Sequence, residues 1–285
     1  MPLVTTGEIV KAAQGAGTGV GAFNVITLEH AEAIVAAAER VDLPVILQVS
    51  ENAVKFHLGR LRPIAMAAAE VAGAAHVPVS LHLDHVEDDD LLHQAADAGF
   101  SSVMYDASKR SYADNVAATR AAAAWAHDHG VWLEAELGEV GGKDGAHAPG
   151  VRTDPDEALA YVDATGVDAL AVAVGSSHAM TTRTASLDLE LVSRLRDAVP
   201  VPLVLHGSSG VPDGDLWAGV RHGMVKINIG TALNVAFSAA VSEVLSGPQP
   251  PVDPRKYLRP ARDAMTESVA HLLTVLNGEH SPAHT

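Results

Sequence analysis

Eight short, β-branched apolar runs recur along the chain, separated by alanine-rich stretches of helical period. The runs are residues 19–25, 43–50, 77–85, 101–107, 130–138, 167–175, 201–207 and 225–229. Strands that alternate with helices imply parallel pairing through crossover helices. Runs that are apolar throughout imply burial on both faces of the sheet. Three intervening helices are legible, at 29–41, 113–129 and 155–165. The last opens with Asp154-Pro155, an N-cap followed by proline at the first helical position. A further helix at 260–277 follows the proline-rich stretch 248–254. Eight such units within 285 residues match the size of one closed barrel. The expectation is an α/β chain, a single (β/α)8 TIM-barrel domain over residues 1–285 with an extra C-terminal helix and a loose tail from about Gly278.

Composition sets what this barrel can contain. The chain is 48% hydrophobic but only 4% aromatic, so its core must be built from Ala, Val, Leu and Ile. Its net charge of −16 repels nucleic acid and anionic membranes, which leaves a small molecule as the expected partner. A phosphorylated ligand is repelled too, so a phosphate pocket needs its own local donors. There is no cysteine, which excludes disulfides and thiolate metal sites; any zinc must be held by His and carboxylates. Residues 1–20 lack an apolar core behind a basic start, and no apolar run approaches bilayer-spanning length. A cytoplasmic enzyme fits.

Catalytic groups of such barrels sit at the C-terminal ends of the strands. Those ends read Asn24, Gln48 and Ser50, Asp84 and His85, Asp106, Glu134 and Glu136, His178, His206, and Asn228. His85, His178 and His206 stand out among fifteen histidines, because three neutral imidazoles with an open position make a catalytic zinc site. Spacing alone equally allows three solvated or core histidines. Asp84 either moves a proton or orients a ligand histidine. Strand alternation points Asp84 and His85 to opposite sides, so both face one site only if the strand bends at its end. His82 shares a face with Asp84, either behind the site or in the core. Leu205-His206-Gly207-Ser208-Ser209-Gly210 reads as an anion loop. Thr231 is placed to cap the helix that follows Asn228.

Taken together, these segments resemble the class II, metal-dependent ketose-bisphosphate aldolases, which include fructose- and tagatose-bisphosphate aldolases. The resemblance is carried by Ala22-Phe23-Asn24, Pro44-Val45-Ile46-Leu47-Gln48, Leu81-His82-Leu83-Asp84-His85, Gly99 to Met104, Glu134-Ala135-Glu136-Leu137-Gly138, Leu205 to Gly210, Lys226-Ile227-Asn228 and Asp253 to Leu258, in that order. It implies a zinc-dependent aldolase that cleaves a phosphorylated ketose, through a metal-stabilised enediolate, to dihydroxyacetone phosphate and an aldehyde. His85, His178 and His206 match the zinc ligands. Asp84 matches the residue that moves the C4 hydroxyl proton, and Glu136 a carboxylate near the metal. Asn228 matches a contact to the enediolate. Gly207, Ser209 and Thr231 match phosphate donors, Asn24 and Ser50 line the substrate site, and Arg255 matches an arginine for the far phosphate. A sodium or potassium ion near Gly207 and a homodimer or homotetramer are further implications. No Schiff-base lysine is needed, and Lys226, inside a strand, fits that route poorly.

The sequence departs from the family pattern around the substrate. Ala179 stands for the usual glycine and Thr182 for the usual lysine, with Arg183 the nearest substitute. In the loop Gly141-Gly142-Lys143-Asp144-Gly145, where the family carries acidic residues that supply a general acid/base, Asp144 is the only nearby acid left and the candidate for that role. Ala232 replaces an acidic residue, and Gly230 and Ser176-Ser177 vary near the substrate. These changes point to an altered substrate preference. They leave two alternatives open: a zinc-dependent lyase or epimerase acting on a non- or mono-phosphorylated sugar, and a non-catalytic zinc-binding subunit.

Overall fold

The computed structural model describes residues 3–138, 151–176 and 181–279. Its strands are β1 (Val20–Asn24), β2 (Val45–Ser50), β3 (Val79–Val86), β4 (Ser102–Tyr105), β5 (Trp132–Glu136), β6 (Ala169–Ala171), β7 (Leu203–Leu205) and β8 (Met224–Ile229). They form a closed parallel barrel in chain order, with β1 pairing β8. Each of the eight apolar runs coincides with one strand, β3 ending one residue later and β8 beginning one residue earlier than expected, so the fold is the expected (β/α)8 barrel with a C-terminal helix. β6 and β7 are much shorter than their apolar runs, at three residues each.

Two kinds of packing hold the barrel. Outward-facing Phe23, Leu47, Leu81, Leu83, Leu133, Leu170, Leu205 and Ile227 are buried against the helical layer, each such side chain contributing about 1.5–3 kcal/mol. Inside the barrel, its N-terminal end is closed by the helix Thr6–Ala16, whose Ile9, Val10 and Ala13 cluster with Val20, Ala22, Ile46 and Val225. That helix starts on a capping box: Thr5 accepts from the backbone of Glu8, and the Glu8 carboxylate accepts from the Thr5 backbone at 2.8 Å. Plugging this end leaves the opposite rim as the open one.

The helices expected at 29–41, 113–129 and 155–165 are found at Leu28–Val41, Tyr112–Asp128 and Pro155–Thr165. Asp154 caps the last through the amides of Asp156 and Glu157. The C-terminal helix, expected from 260, begins at Arg255. Pro260 was read as its first residue but is its sixth. The carbonyl that proline leaves without a partner belongs to Lys256, in the exposed first turn, where the loss is tolerated. Arg262 pairs with Glu32 at 2.7 Å and Glu267 with Arg40 at 2.5 Å, tying this helix to Leu28–Val41. Among the described residues, no helix is long and apolar enough to cross a membrane. Residues 280–285 of the expected tail lie outside the described residues.

Candidate active site

A cavity of about 410 Å³ opens at the C-terminal rim of the barrel. Asn24, Ser50, Asp84, His85, Gly207, Ser209, Asn228 and Thr231, all singled out from sequence, line it. His178 and Asp144 lie outside the described residues.

The bend that Asp84 and His85 require is present. β3 pairs β2 in register up to Asp84. Its pairing with β4 shifts between Leu83 and Val86, a bulge that leaves His85 with φ of 50°. A left-handed backbone at a non-glycine residue is sparsely populated. Here it turns His85 onto the same side as Asp84, with His85 Nε2 3.9 Å from Asp84 Oδ2. Strain at one residue therefore puts two adjacent polar side chains into one site.

His206, at the end of β7, meets His85 across the lumen with ring centroids 4.9 Å apart. Ligand atoms of Asp84, His85 and His206 lie within 4.8 Å of one another, as do those of His85, Asp106 and Glu136. Each histidine has an enclosed carboxylate behind it. Asp106 Oδ2 is 3.0 Å from His85 Nδ1, and Glu134 Oε1 is 2.9 Å from His206 Nε2. These bonds direct His85 Nε2 toward Asp84 and His206 Nδ1 toward Glu136 Oε2, 3.6 Å away. Carboxylate-backed imidazoles are the usual arrangement of metal-ligating histidines. The donor set of imidazole nitrogens and carboxylate oxygens fits a divalent metal such as zinc.

The electrostatics follow from this crowding. Burial pushes the His85 imidazole down, but the charge of Asp84, the hydrogen bond and charge of Asp106, and Glu136 outweigh it and raise its pKa to about 10 in the metal-free protein. Burial pushes the Asp84 carboxyl up, yet His85, His82 and His206 hold it well below the usual carboxylate range. Asp106 is likewise held low against burial by His85 and by Ser108, which donates from both its amide and its hydroxyl. Gln48 Nε2 donates to Asp84 Oδ2 and to Asn24 Oδ1, at 2.9 Å each, fixing both acceptors at the rim.

Across the cavity lies the glycine-serine loop. Gly207 sits at φ of 66°, a conformation glycine adopts without cost. Ser208 Oγ donates to the Asn228 carbonyl at 2.5 Å, tying the loop to β8. Thr231 does not cap the following helix: Gly230 occupies the cap position and Thr231 is the first helical residue of Thr231–Leu245. The cap comes from the loop instead, through Ser209 Oγ accepting from the Ala232 amide at 3.1 Å. A Cβ at residue 230 would lie 3.1 Å from Asn24 Cγ, so glycine there leaves Asn24 its place.

Two arginines are not brought to this cavity. Arg183 donates twice to the Val211 carbonyl, at 2.9 and 2.6 Å, and pairs with Asp213 at 2.5 Å. Those acceptors hold it on the outer side of the loop. Arg255 is exposed and pairs with Asp253 at 2.8 Å, within its own turn. Residues not singled out from sequence line the mouth instead: Glu51, Asn52, Lys55, Glu87, Lys109 and Asn234. Lys55 pairs with Glu51 and Lys109 with Glu87, both at 2.6 Å. Glu51 also accepts the Glu87 amide at 2.7 Å, joining the two loops. Glu51, Asn52 and Glu87 lie within two residues of strand ends already recognised, and that position was the available signal; Lys55, Lys109 and Asn234 lie further along.

Comparison with known proteins agrees with this geometry. The family model described as "Fructose-bisphosphate aldolase class-II" matches residues 4–281. Fructose-bisphosphate aldolase of Staphylococcus aureus is 40% identical over 276 residues, covering 94% of this chain and 95% of that protein. The probable fructose-bisphosphate aldolase of Bacillus subtilis is 41% identical over 272 residues, with the same coverage of 94% and 95%. Among solved structures, the YdjI aldolase of Escherichia coli K12 superposes with a TM-score of 0.83 at 32% identity, covering 98% of this chain and all of that one. The chain therefore belongs to the class II fructose-bisphosphate aldolase family and is a metal-dependent carbon–carbon lyase of carbohydrate metabolism.

Proposed function

We propose that this enzyme is a zinc-dependent aldolase that cleaves a phosphorylated ketose between C3 and C4, giving dihydroxyacetone phosphate and an aldehyde. The observation that carries the reading is the convergence of His85 and His206, each backed by an enclosed carboxylate, beside Asp84 and opposite a helix N-terminus with a glycine-serine loop. His85 and His206, with His178 and Glu136, would hold the metal. Bound there, it supplies Lewis acidity to the ketone and hydroxyl oxygens of the substrate.

The chain's own groups do the rest. Asp84 accepts the C4 hydroxyl proton as the C4 oxygen becomes the aldehyde carbonyl. The electron pair of the broken C3–C4 bond moves toward the C2 oxygen, and Asn228 donates a hydrogen bond on that side. A proton delivered to C3, with Asp144 as its expected source, restores the ketone. Gly207, Ser209 and Thr231 bind the phosphate at the helix N-terminus, where amides and the helix dipole favour an anion. A monovalent cation near Gly207, a cytoplasmic location and a homodimer or homotetramer belong to the same reading.

A substrate with a single phosphate is favoured by the far end of the cavity. Arg183 and Arg255 point away from it, and Lys55 and Lys109 are each compensated by a glutamate at 2.6 Å. The test is coupled detection of dihydroxyacetone phosphate across a panel of ketose mono- and bisphosphates, after chelation and again after zinc is restored. Zinc-dependent release is expected, with the highest kcat/KM on a ketose 1-phosphate. Release that persists without metal, or none from any ketose phosphate at full zinc occupancy, rules the reading out.

A further inference from the structure

Lys226 is the largest fully buried charged side chain of the barrel, and the proposed chemistry gives it no part. It lies within β8, in the lumen beneath the cavity, and three acceptors surround its ammonium. Glu134 Oε2 is 2.8 Å away, Asn228 Oδ1 2.6 Å and His82 Nε2 3.5 Å. An ammonium has three donors and no acceptor; here it hydrogen-bonds to Asn228 and His82 and is ion-paired with Glu134 Oε2, which constrains all three neighbours.

Each orientation has a consequence at the site above. Glu134 uses its other oxygen to accept from His206 Nε2 at 2.9 Å, so the carboxylate that orients this histidine is itself held by Lys226. Asn228 must turn its carbonyl oxygen to Lys226. Its amide nitrogen is thereby turned to Asp84 Oδ1, 3.4 Å away, and to the cavity. A flipped amide would set a donor against a donor below and an acceptor against a carboxylate above. His82 is fixed from its other side. Its Nδ1 meets Ser102 Oγ at 2.8 Å, while Ser102 donates to Thr6 at 2.6 Å and Thr6 to Ser80 at 3.0 Å. With those hydroxyl hydrogens committed, Nδ1 donates and Nε2 accepts from Lys226. The two contacts that matter for chemistry, Glu134 and Asn228, are also the shorter two.

We infer that Lys226 is a positioning residue that couples the metal ligand His206 to the Asn228 amide: through Glu134 it sets the histidine, and directly it fixes the asparagine with its NH2 toward the substrate. It touches neither metal nor substrate. A lysine that only neutralised a buried carboxylate would leave Asn228 free to choose its orientation. The turnover part of this inference rests on the aldolase reading; the metal part does not.

The test is a cycle of four proteins, wild type, Lys226→Met, Asn228→Ala and the double variant, each with zinc affinity measured by chelator competition and kcat and KM measured at full zinc occupancy. Lys226→Met is expected to weaken zinc about 10–100-fold, the effect of disturbing a partner behind a metal ligand. It should also lower kcat about a hundredfold, as for a catalytic group misplaced by an ångström, with KM within about threefold. In the Asn228→Ala background the same substitution should lower kcat less than threefold, because the group it positions is gone. Unchanged zinc affinity in Lys226→Met overturns the inference, and so do equal losses of kcat in the two backgrounds. Should Lys226→Met not fold, because it strands the Glu134 carboxylate, Lys226→Met/Glu134→Gln removes both charges. The cycle is then run from Glu134→Gln, with the same expectation for kcat. If the wild type cleaves no ketose phosphate, the aldolase reading has failed and the zinc comparison alone decides the role of Lys226.

Discussion

Asp106 offers a direct test of the candidate metal site, because its only evident task is to hold a ligand. Its Oδ2 lies 3.0 Å from His85 Nδ1, and its Oδ1 accepts from the Ser108 hydroxyl at 2.6 Å and the Ser108 amide at 3.1 Å. A hydrogen bond to a charged group contributes about 1.5–3 kcal/mol, and losing the partner of a metal-bound histidine weakens metal about 10–100-fold. Asp106→Ala should lie near the upper end, about 2.8 kcal/mol at about 1.4 kcal/mol per tenfold. Asp106→Asn keeps an acceptor but loses the charge, so about tenfold is expected. Ser108→Ala removes one donor that steadies the carboxylate and should cost less than threefold. One effect opposes these losses. Asp106 also favours a proton on His85, which the metal must displace, so its removal eases deprotonation. A dication at similar distance gains about twice what a proton gains from the same charge, and the net effect remains a loss. Chelator competition at a fixed pH of about 8 should give the order wild type, Ser108→Ala, Asp106→Asn, Asp106→Ala. Affinity of Asp106→Ala within twofold of wild type, in a protein that melts normally, would refute the assignment of His85 as a ligand oriented from behind.

Other consequences are as specific. Asp84→Asn should reduce kcat about 10²–10⁴-fold, the range for loss of a general base, with zinc stoichiometry retained; turnover unaffected by the change removes Asp84 from the proton transfer. Arg183 braces the glycine-serine loop through Val211 and Asp213, so if that loop binds the phosphate as proposed, Arg183→Ala should raise KM for a ketose phosphate about tenfold with kcat within threefold, a split to be read from steady-state kinetics; KM unchanged counts against the brace. For Asp213, burial raises the pKa but hydrogen bonds from Arg183 and His271 outweigh it, leaving it lowered. A lowered carboxylate contributes stability that is present above its unfolded value of about 3.9 and lost as pH falls through the folded one. Asp213→Asn should therefore flatten the fall in unfolding free energy as pH drops below about 4; an acid limb identical to wild type in denaturant titrations refutes it.

The barrel was legible in the sequence because its signal is repeated eight times: each apolar run reports burial on both faces, and the runs are regularly interleaved with helices. The rim was legible for the related reason that Asn24, Asp84, His206 and Asn228 each interrupt an apolar strand near its end. Pairwise geometry was not. That Asp84 and His85 face one site depends on a bulge and one left-handed residue, and no residue type at these positions announces it. Arg183 was read as facing substrate by proximity in sequence; its direction is decided by Asp213 and the Val211 carbonyl, which belong to a segment about thirty residues away. Thr231 was read as a cap because threonine favours that role, but the cap is supplied across the fold by Ser209. The sequence places Lys226 inside a strand without giving it a partner, and only the closed barrel reveals that Glu134, Asn228 and His82 converge on it.

The charge balance of the lumen gives a reason for a metal in this position that does not depend on family. Asp84, Asp106, Glu134 and Glu136 lie in or beside it, all but Asp106 fully buried, against one ammonium, that of Lys226, buried among the described residues. Four carboxylates and one cation in a low-dielectric interior repel one another unless positive charge is drawn in. A proton on His85 supplies some, which is why that imidazole rises to about 10. A zinc ion held by the same histidines would supply twice as much. The metal should therefore be part of the fold's stability as well as of its chemistry. A ligand that binds only the folded state adds about 2.7 kcal/mol at a hundred times its Kd. Chelated protein titrated with zinc should show a melting temperature that climbs with concentration, and Asp106→Ala should show the same climb displaced to about a hundredfold more zinc. A melting temperature indifferent to zinc would mean that these carboxylates are balanced some other way, and that the histidines between them are not a metal site.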